Sequence, residues 1–361
     1  MKKSQTCERP YEAMESPGHV RLSLAAAMTL GFVRGWFFRN ARLGCINLLL
    51  TYASGCKANC AFCGLAGEQD RRSNGGSFIR VPWKTYPTEE VIEAMQTAPE
   101  YVSRVCISMI THPRSPKDVL EICHAVATRT DKAVSLLISP SVLRRNDLQS
   151  MKDAGAERIG VAIDCATEEL FIRHRGRPVN GPHSWSRYWR TYEESLAIFG
   201  EGMAGVHLIC GLGETESEMV QAISRARAMG GSTHLFSFFP ESGSAMEGCP
   251  VPHMGSYRRI QLARWLIDQD KARAADMEFD SQGRIVGFGI PEDEWRAVAA
   301  TGDPFQTSGC PGPDGKVACN RPYGNEKPGK DIRNFPFPPD EEDLEKVGIE
   351  LLQFEDVRIT S

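Results

Sequence analysis

Short apolar segments recur through the middle of the chain, and stretches with helical spacing separate them. The apolar segments span residues 46–52, 104–110, 133–138, 158–163, 206–210 and 234–239. Helix-start signals stand between them, such as Pro87 before Thr88 and the capping-box sequence that begins at Thr215. This alternation predicts βα units around a parallel sheet, and uniformly apolar strands indicate burial on both faces. We therefore predict an α/β fold built as a full or partial (β/α) barrel, with an open doubly wound sheet as the alternative.

The two ends of the chain depart from this alternation. Residues 23–38 predict a helix inside an N-terminal extension of residues 1–44. In the C-terminal tail, residues 302–361, the part from 302 to 339 is rich in Pro and Gly, and 340–347 is typical of a short acidic helix. We expect this irregular tail to fold over the barrel mouth. The remaining residues, 45–301, form the predicted barrel.

Composition narrows the compartment and the class of partner. The 361 residues carry a formal net charge of −4 with both signs spread along the chain, so no nucleic-acid surface is predicted. The most apolar stretch, residues 22–33, is too short to span roughly 30 Å of hydrocarbon, and we expect no membrane attachment. Twelve cysteines in a chain of this size indicate a reducing, cytoplasmic setting rather than a disulfide scaffold.

Three of these cysteines, Cys56, Cys60 and Cys63, stand in CxxxCxxC spacing directly after the first apolar segment. Three thiolates so close in sequence can hold one side of a cubane iron–sulfur cluster and leave its fourth iron open to a small chelating molecule. A structural zinc site would need a fourth Cys or His nearby, and the next histidine is His112. In a barrel, this loop would lie at the carboxyl ends of the strands, where active sites form.

The cysteine loop resembles the signature of the radical S-adenosylmethionine (SAM) superfamily, in which an aromatic residue, here Phe62, precedes the last cysteine. The resemblance implies a [4Fe–4S] cluster on Cys56, Cys60 and Cys63, with an open iron that chelates SAM, and it assigns Phe62 to cofactor binding. Reductive cleavage of SAM would give a 5′-deoxyadenosyl radical, so the cofactor supplies the chemistry and the protein binds and shields it. A ferredoxin or flavodoxin is the implied reductant, and no general base or nucleophile stands out.

The same resemblance implies further cofactor contacts at the ends of the later strands. Asp164 follows the fourth apolar segment. Its position resembles that of the acidic residue that hydrogen-bonds the ribose of SAM in biotin-synthase-like members. Cys210, Gly211 and Gly213 follow the fifth segment and are similar to the family's adenine-side motif. The RHRGR segment offers arginines for a carboxylate of the cofactor or substrate, and Arg175 is our assignment, a solvated basic turn being the alternative.

Cys310 and Cys319 form a second local set, and the Pro- and Gly-containing loop between them can bring their sulfurs together. A second iron–sulfur cluster is the sharper interpretation, because a disulfide is disfavoured in a reducing compartment. Two thiolates are too few for a cubane, so a third ligand is required, and Cys45 and Cys249 are the candidates by position. The tail around the pair is similar to that of two-protein lipoyl synthases of the biotin-synthase-like branch, although the insert between the cysteines is longer here.

That resemblance implies an enzyme that removes hydrogen from an unactivated carbon and inserts sulfur from the second cluster. It also implies an octanoylated carrier protein as substrate and a second radical SAM subunit as partner. Biotin synthase itself is disfavoured, because Cys106 alone matches its expected strand cysteines. Two alternatives stay open. One is a radical SAM rearrangement, methylation or lyase enzyme whose tail cluster is structural or relays electrons, and the other is a non-catalytic iron–sulfur scaffold.

Overall fold

A computed structural model describes residues 14–67, 77–322, 329 and 332–354 of the chain. The strands are β1 (His19–Ser23), β2 (Cys45–Leu50), β3 (Ser77–Phe78), β4 (Val81–Pro87), β5 (Arg104–Ser108), β6 (Ala133–Ile138), β7 (Ala156–Asp164), β8 (Ala204–Cys210), β9 (Ser232–Ser237), β10 (Glu278–Phe279) and β11 (Ile285–Gly287). The helices are α1 (Leu24–Thr29), α2 (Thr88–Gln96), α3 (Ser115–Arg129), α4 (Asp147–Asp153), α5 (Glu168–Arg175), α6 (Trp185–Phe199), α7 (Glu216–Ala228), α8 (Met254–Asp268), α9 (Glu292–Ala300) and α10 (Glu341–Leu351). Cys7 and part of the tail motif, residues 323–328, lie outside the described residues.

Six parallel strands form the main part of the sheet, in the order β2-β5-β6-β7-β8-β9. They coincide with the six apolar segments, and every residue of β2 is buried, as expected for strands covered on both faces. The capping box of Thr215 and Glu218 opens α7 as predicted. The predicted α/β class is confirmed. The sheet ends in β3 on one side and β9 on the other, so it is a partial barrel.

Three antiparallel strands extend the sheet on the side of β2, in the order β3-β4-β1. β1 lies just before the helix predicted over 23–38, in a stretch for which no strand was predicted. Of that helix, only the short α1 is present, so the prediction was wrong beyond it. Val20 and Leu22 alternate with more exposed neighbours, so the segment before the helix has the period of a strand and pairs with both β2 and β4. The Ser23 side chain then caps α1.

The tail segment 310–320 lies across the N-terminal ends of the parallel strands. Arg104, at the start of β5, donates from Nε to the Pro311 carbonyl at 2.9 Å. The N–H of Gly44, just before β2, donates to Oδ1 of Asn320 at 3.1 Å. The cysteine loop leaves β2 at its opposite end. For this segment the expectation that the tail covers the mouth is wrong, since Arg104 and Gly44 stand where the strands begin. The acidic helix predicted at 340–347 is present as α10.

One cavity of about 290 Å³ occupies the barrel interior and is lined by residues from both ends of the strands. The three-cysteine loop borders it at the carboxyl ends, and tail residues border it at the N-terminal ends. Its middle is apolar, with Leu49, Leu137, Ile209 and Phe236 on the walls. In the described part of the chain, no helix combines the length and the apolar character needed to cross a membrane.

Candidate functional site

Backbone hydrogen bonds fix the three-cysteine loop to the ends of neighbouring elements. The N–H of Lys57 donates to the Thr111 carbonyl beyond β5 at 2.7 Å, and the N–H of Ala61 donates to the His174 carbonyl in α5 at 2.8 Å. Within the loop, the N–H of Cys63 donates to the Cys60 carbonyl at 3.0 Å. The loop is thereby tied to the rigid barrel, as a precisely positioned site requires.

The structure brings Cys56, Cys60 and Cys63 together on the cavity wall as free thiols. Burial raises the pKa of Cys63 well above its ordinary value, and repulsion from Cys60 and Cys56 raises it further. Burial likewise raises the pKa of Cys60. Cys60 and Cys63 are therefore disfavoured as thiolates unless a cation joins them. Phe62 also borders the cavity, between two of these cysteines in sequence.

Asp164, which is partly exposed, and the buried Arg175 form an ion pair on the same cavity wall, with Oδ2 and Nη1 3.1 Å apart. Asp164 ends β7 in the left-handed region, at φ 66°, which turns its carboxylate from the strand direction. Burial raises the pKa of Asp164, while Arg175 acts to lower it. Arg175 is also close enough to Cys60 to lower that thiol's pKa, against the larger effect of burial. The pair thus places a carboxylate and a fixed cation beside the cysteine loop.

Arg175 is held by its own protein surroundings. Nη1 donates to the Ile163 carbonyl at 2.9 Å and Nη2 to the Tyr188 hydroxyl at 3.2 Å, and the guanidinium packs near the rings of Phe171 and Tyr188. Its Nε is buried with no hydrogen-bond partner among the described residues. Arg173, by contrast, is exposed and paired with Glu169. Of the RHRGR arginines, only Arg175 borders the cavity.

The structure does not bring Cys210, Gly211 or Gly213 to the cavity wall, where the resemblance placed adenine contacts. Ile209, one residue earlier, lines the wall instead. The turn is closed on itself, because the Glu214 carboxylate accepts hydrogen bonds from the N–H of Gly211 at 2.6 Å and from the next residue at 3.0 Å. Both glycines have φ above 100°, so they serve a tight turn.

The tail cysteines border the same cavity. The N–H groups of Ala318 and Cys319 both donate to the Cys310 carbonyl, at 3.0 and 3.1 Å, so the intervening loop curls back on itself. Both thiols are free and border the floor of the cavity, which we define as its end at the N-terminal ends of the strands. His234 of β9 places Nε2 4.0 Å from the Cys310 sulfur. This contact lowers the pKa of Cys310 against the effect of burial.

Sequence reasoning missed a row of polar side chains that faces the floor from inside the strands. Cys106 of β5, His207 of β8 and Arg321 of the tail line the cavity there together with Asn47 and His234. Part of the signal was available, since Asn47 and His207 are polar side chains within the otherwise apolar strands β2 and β8. Among the described residues, no three His, Cys, Asp or Glu side chains converge on a single metal ion. Thiolates of a cubane bind separate irons, so a cluster does not require such convergence.

Residues 50–226 match the family model of the Radical SAM superfamily. The chain carries a radical SAM domain. No curated protein matches its sequence. Similar solved structures include the radical SAM methyltransferase TsrM from Kitasatospora setae with tryptophan and a SAM analogue, 13% identical with a TM-score of 0.40, covering 86% of this chain and 59% of that one. Another is coproporphyrinogen III oxidase (HemN) from Escherichia coli, 14% identical with a TM-score of 0.33, covering 42% and 36%.

The cofactors of a radical SAM domain fit the residues at the mouth. Three free thiols on one wall supply the ligand number for a [4Fe–4S] cluster that keeps one iron open. Asp164 offers an acceptor for hydroxyl groups beside them, and the unpartnered Nε of Arg175 is a donor that a ligand would satisfy. Cys56, Cys60 and Cys63 would hold the cluster, and Phe62, Asp164 and Arg175 would contact SAM.

Proposed function

We propose that this radical SAM enzyme inserts sulfur at an unactivated carbon, and that a second iron–sulfur cluster on the cavity floor is the sulfur source. The observation that supports this most strongly is the arrangement of the two thiol sets. They face one cavity from opposite ends, so a molecule in its middle would have the SAM site on one side and the tail thiols on the other. SAM and the first cluster would supply a 5′-deoxyadenosyl radical, and the second cluster would supply sulfide.

The middle of the cavity suits an aliphatic substrate. The side chains on its walls have no hydrogen-bonding groups; they are Leu49, Leu137, Ile209 and Phe236. A saturated chain could therefore bind there without leaving a buried polar atom unpaired. The barrel wall would exclude water from a carbon radical formed in this part of the cavity. These features support the octanoyl group of a carrier protein as the substrate. A ferredoxin or flavodoxin would be the reductant, a second radical SAM subunit the partner, and the cytoplasm the compartment.

The chain's own residues would orient the reactants. The Asp164 carboxylate would accept hydrogen bonds from the ribose, which fixes the rotation of the cofactor at the wall. Arg175, held by β7 carbonyls, would keep a positive charge beside Cys60 and oppose the repulsion among the thiolates. At the floor, His234 and Asn47 would donate hydrogen bonds to sulfur atoms of the tail set.

Anaerobic reconstitution with iron and ³⁴S-sulfide, followed by SAM, dithionite and an octanoylated carrier protein, tests the proposal. We expect 5′-deoxyadenosine together with a product that contains ³⁴S, detected by mass spectrometry. The variants C310A and C319A should still form 5′-deoxyadenosine but lose the sulfur-containing product. The matched control is C123A, because Cys123 is buried in α3 against the Ala154 carbonyl, outside the cavity lining.

The outcomes separate the alternatives. Absence of 5′-deoxyadenosine under all conditions would contradict radical chemistry altogether and favour a non-catalytic scaffold. A product without ³⁴S, or sulfur insertion that persists in C310A and C319A, would contradict the second cluster as the sulfur source. Many turnovers without added sulfide would contradict it as well, because a sacrificial cluster is consumed.

A further inference from the structure

The floor of the cavity holds a third accessible thiol besides those of the tail. Cys106 lies in the middle of β5 and borders the cavity together with Cys310 and Cys319. Cys106 and Cys310 are only half-buried although both lie inside the barrel, because their sulfur-bearing side chains face the empty space. The first thiol set at the mouth also has three members on the cavity wall, so the two ends present the same number of thiols.

In the strand register, Cys106 lies between the two residues that contact the tail sulfurs. Asn47 of β2 pairs with Cys106, and Cys106 pairs with Ser135 of β6. The Asn47 amide donates to the Cys319 sulfur at 3.7 Å. The Ser135 hydroxyl interacts with the Cys310 sulfur on the other side. Because paired residues of neighbouring strands point to the same face, Cys106 is flanked by both tail cysteines.

The two cysteines suggested by sequence position fit less well. Cys45 has no exposed surface and does not border the cavity, and its thiol hydrogen-bonds with Cys319 from the buried side. Cys249 belongs to the loop after β9, where its N–H donates to Met246, and the N–H of Met246 in turn donates to Ala61 of the three-cysteine loop. It therefore stands at the mouth, at the wrong end of the barrel for a ligand of the tail set.

Charge at the floor also suits an anionic group held by thiolates. Arg321 borders the cavity at the floor, and Arg104 lies two residues before Cys106 in β5. Among the described residues, the carboxylates that border the cavity are Asp164 and Glu241, and both lie near the mouth. Asp164 pairs with Arg175, and Glu241 accepts a hydrogen bond from the N–H of Arg80. The floor thus presents three thiols, hydrogen-bond donors and the guanidinium group of Arg321.

We propose that Cys106, Cys310 and Cys319 are the three thiolate ligands of the second iron–sulfur cluster, with Cys45 a buried neighbour outside the ligand set. This inference rests on the proposed function for the existence of the cluster, and it assigns the ligand that neither sequence spacing nor the tail motif supplied. A three-thiolate site leaves one iron of a cubane without a cysteine, and the space above the floor gives that iron access to the cavity.

The test isolates the second site by replacing all three cysteines of the first set with alanine. This parental variant is reconstituted anaerobically with iron and sulfide, and we expect about four irons per chain. Adding C106A should lower the iron content to below about half, as C310A and C319A do. C45A and C249A are the matched controls, and each should keep the parental iron content and electron paramagnetic resonance spectrum of the reduced cluster.

C106S is the control for a folding defect, because the serine hydroxyl can replace the thiolate as a ligand. We expect it to retain iron with a shifted spectrum and to melt at the parental temperature by circular dichroism. Parental iron content and an unshifted spectrum in both C106A and C106S would overturn the ligand assignment. Loss of iron in C45A to the level of C310A would overturn it as well. A parental variant that binds no iron would overturn the second cluster itself, and with it the proposed sulfur source.

Discussion

Arg104 joins the barrel to the tail, and replacing it with methionine tests how the floor is held together. Its guanidinium is 2% exposed and donates to the Pro311 carbonyl at 2.9 Å, the Ser135 hydroxyl at 2.8 Å and the Glu157 carboxylate at 2.8 Å. Methionine keeps much of the length and apolar bulk of the side chain but removes every donor. R104M therefore leaves two acceptors at the floor without their partner.

The expected loss of stability follows from these contacts. An unmet buried hydrogen-bond partner costs about 1–3 kcal/mol, and two are created here. The Glu157 side chain is 38% exposed, so solvent screens the ion pair and the pair itself adds little. We expect the free energy of unfolding to fall by about 2–4 kcal/mol in total, less than twice the loss from a single group because relaxation and water entry recover part of the cost.

Urea denaturation of the apoprotein under anaerobic conditions, followed by circular dichroism, measures this change. The control is R129M, which removes an exposed pair with Glu89 on the outer surface and should leave the midpoint unchanged. R104M should also bind less iron at the second site while still cleaving SAM at the first. An unchanged unfolding midpoint, or equal loss of iron from both sites, would refute the reasoning that Arg104 anchors the tail.

Three further results are expected from single substitutions. D164N should weaken SAM binding about 10- to 100-fold, because a charged hydrogen-bond acceptor is lost. Anaerobic calorimetry measures the affinity, and an unchanged value would contradict the ribose contact. G211A should lower the free energy of unfolding by about 1–3 kcal/mol, because residue 211 has a φ of 106° and the new Cβ would lie 2.8 Å from Pro252. In the control G248A the new Cβ meets open space, so the free energy of unfolding should not change. Burial raises the pKa of Glu214 to about 7, so the native state binds an extra proton between pH 4.5 and 7. Stability should therefore fall as pH rises through that window, and E214Q should flatten this part of the denaturation profile.

The barrel was predictable because its strands carry a strong signal. Each parallel strand overlaps one of the apolar segments, and capping signals such as that of Thr215 mark the helices between them. The antiparallel strands were missed for the opposite reason. β1 and β4 bury one face and expose the other, and β3 has only two residues, so none gives a continuous apolar run. Their pairing depends on β2, which local sequence does not reveal.

The residues of the candidate site were likewise predictable only in part. Cys56, Cys60 and Cys63 are close in sequence, so their spacing alone indicated a shared site. Cys106 stands alone in β5, and its proximity to Cys310 depends on strand register and on where a distant tail docks. The glycine turn after β8 differs, because a local motif suggested ligand contact, whereas two of its N–H groups donate to the Glu214 carboxylate.

The docking of the tail changes what the second thiol set can do. A tail over the mouth would have placed Cys310 and Cys319 near solvent and beside the first set, an arrangement suited to passing electrons inward. The observed tail instead places them at the opposite end of the cavity from the first set, with the apolar walls of Leu49 and Phe236 between the two sets. An electron relay needs a route to a protein partner at the surface, whereas a sulfur donor needs access to the substrate. The floor borders the cavity directly, and this difference in access supports sulfur donation over electron relay.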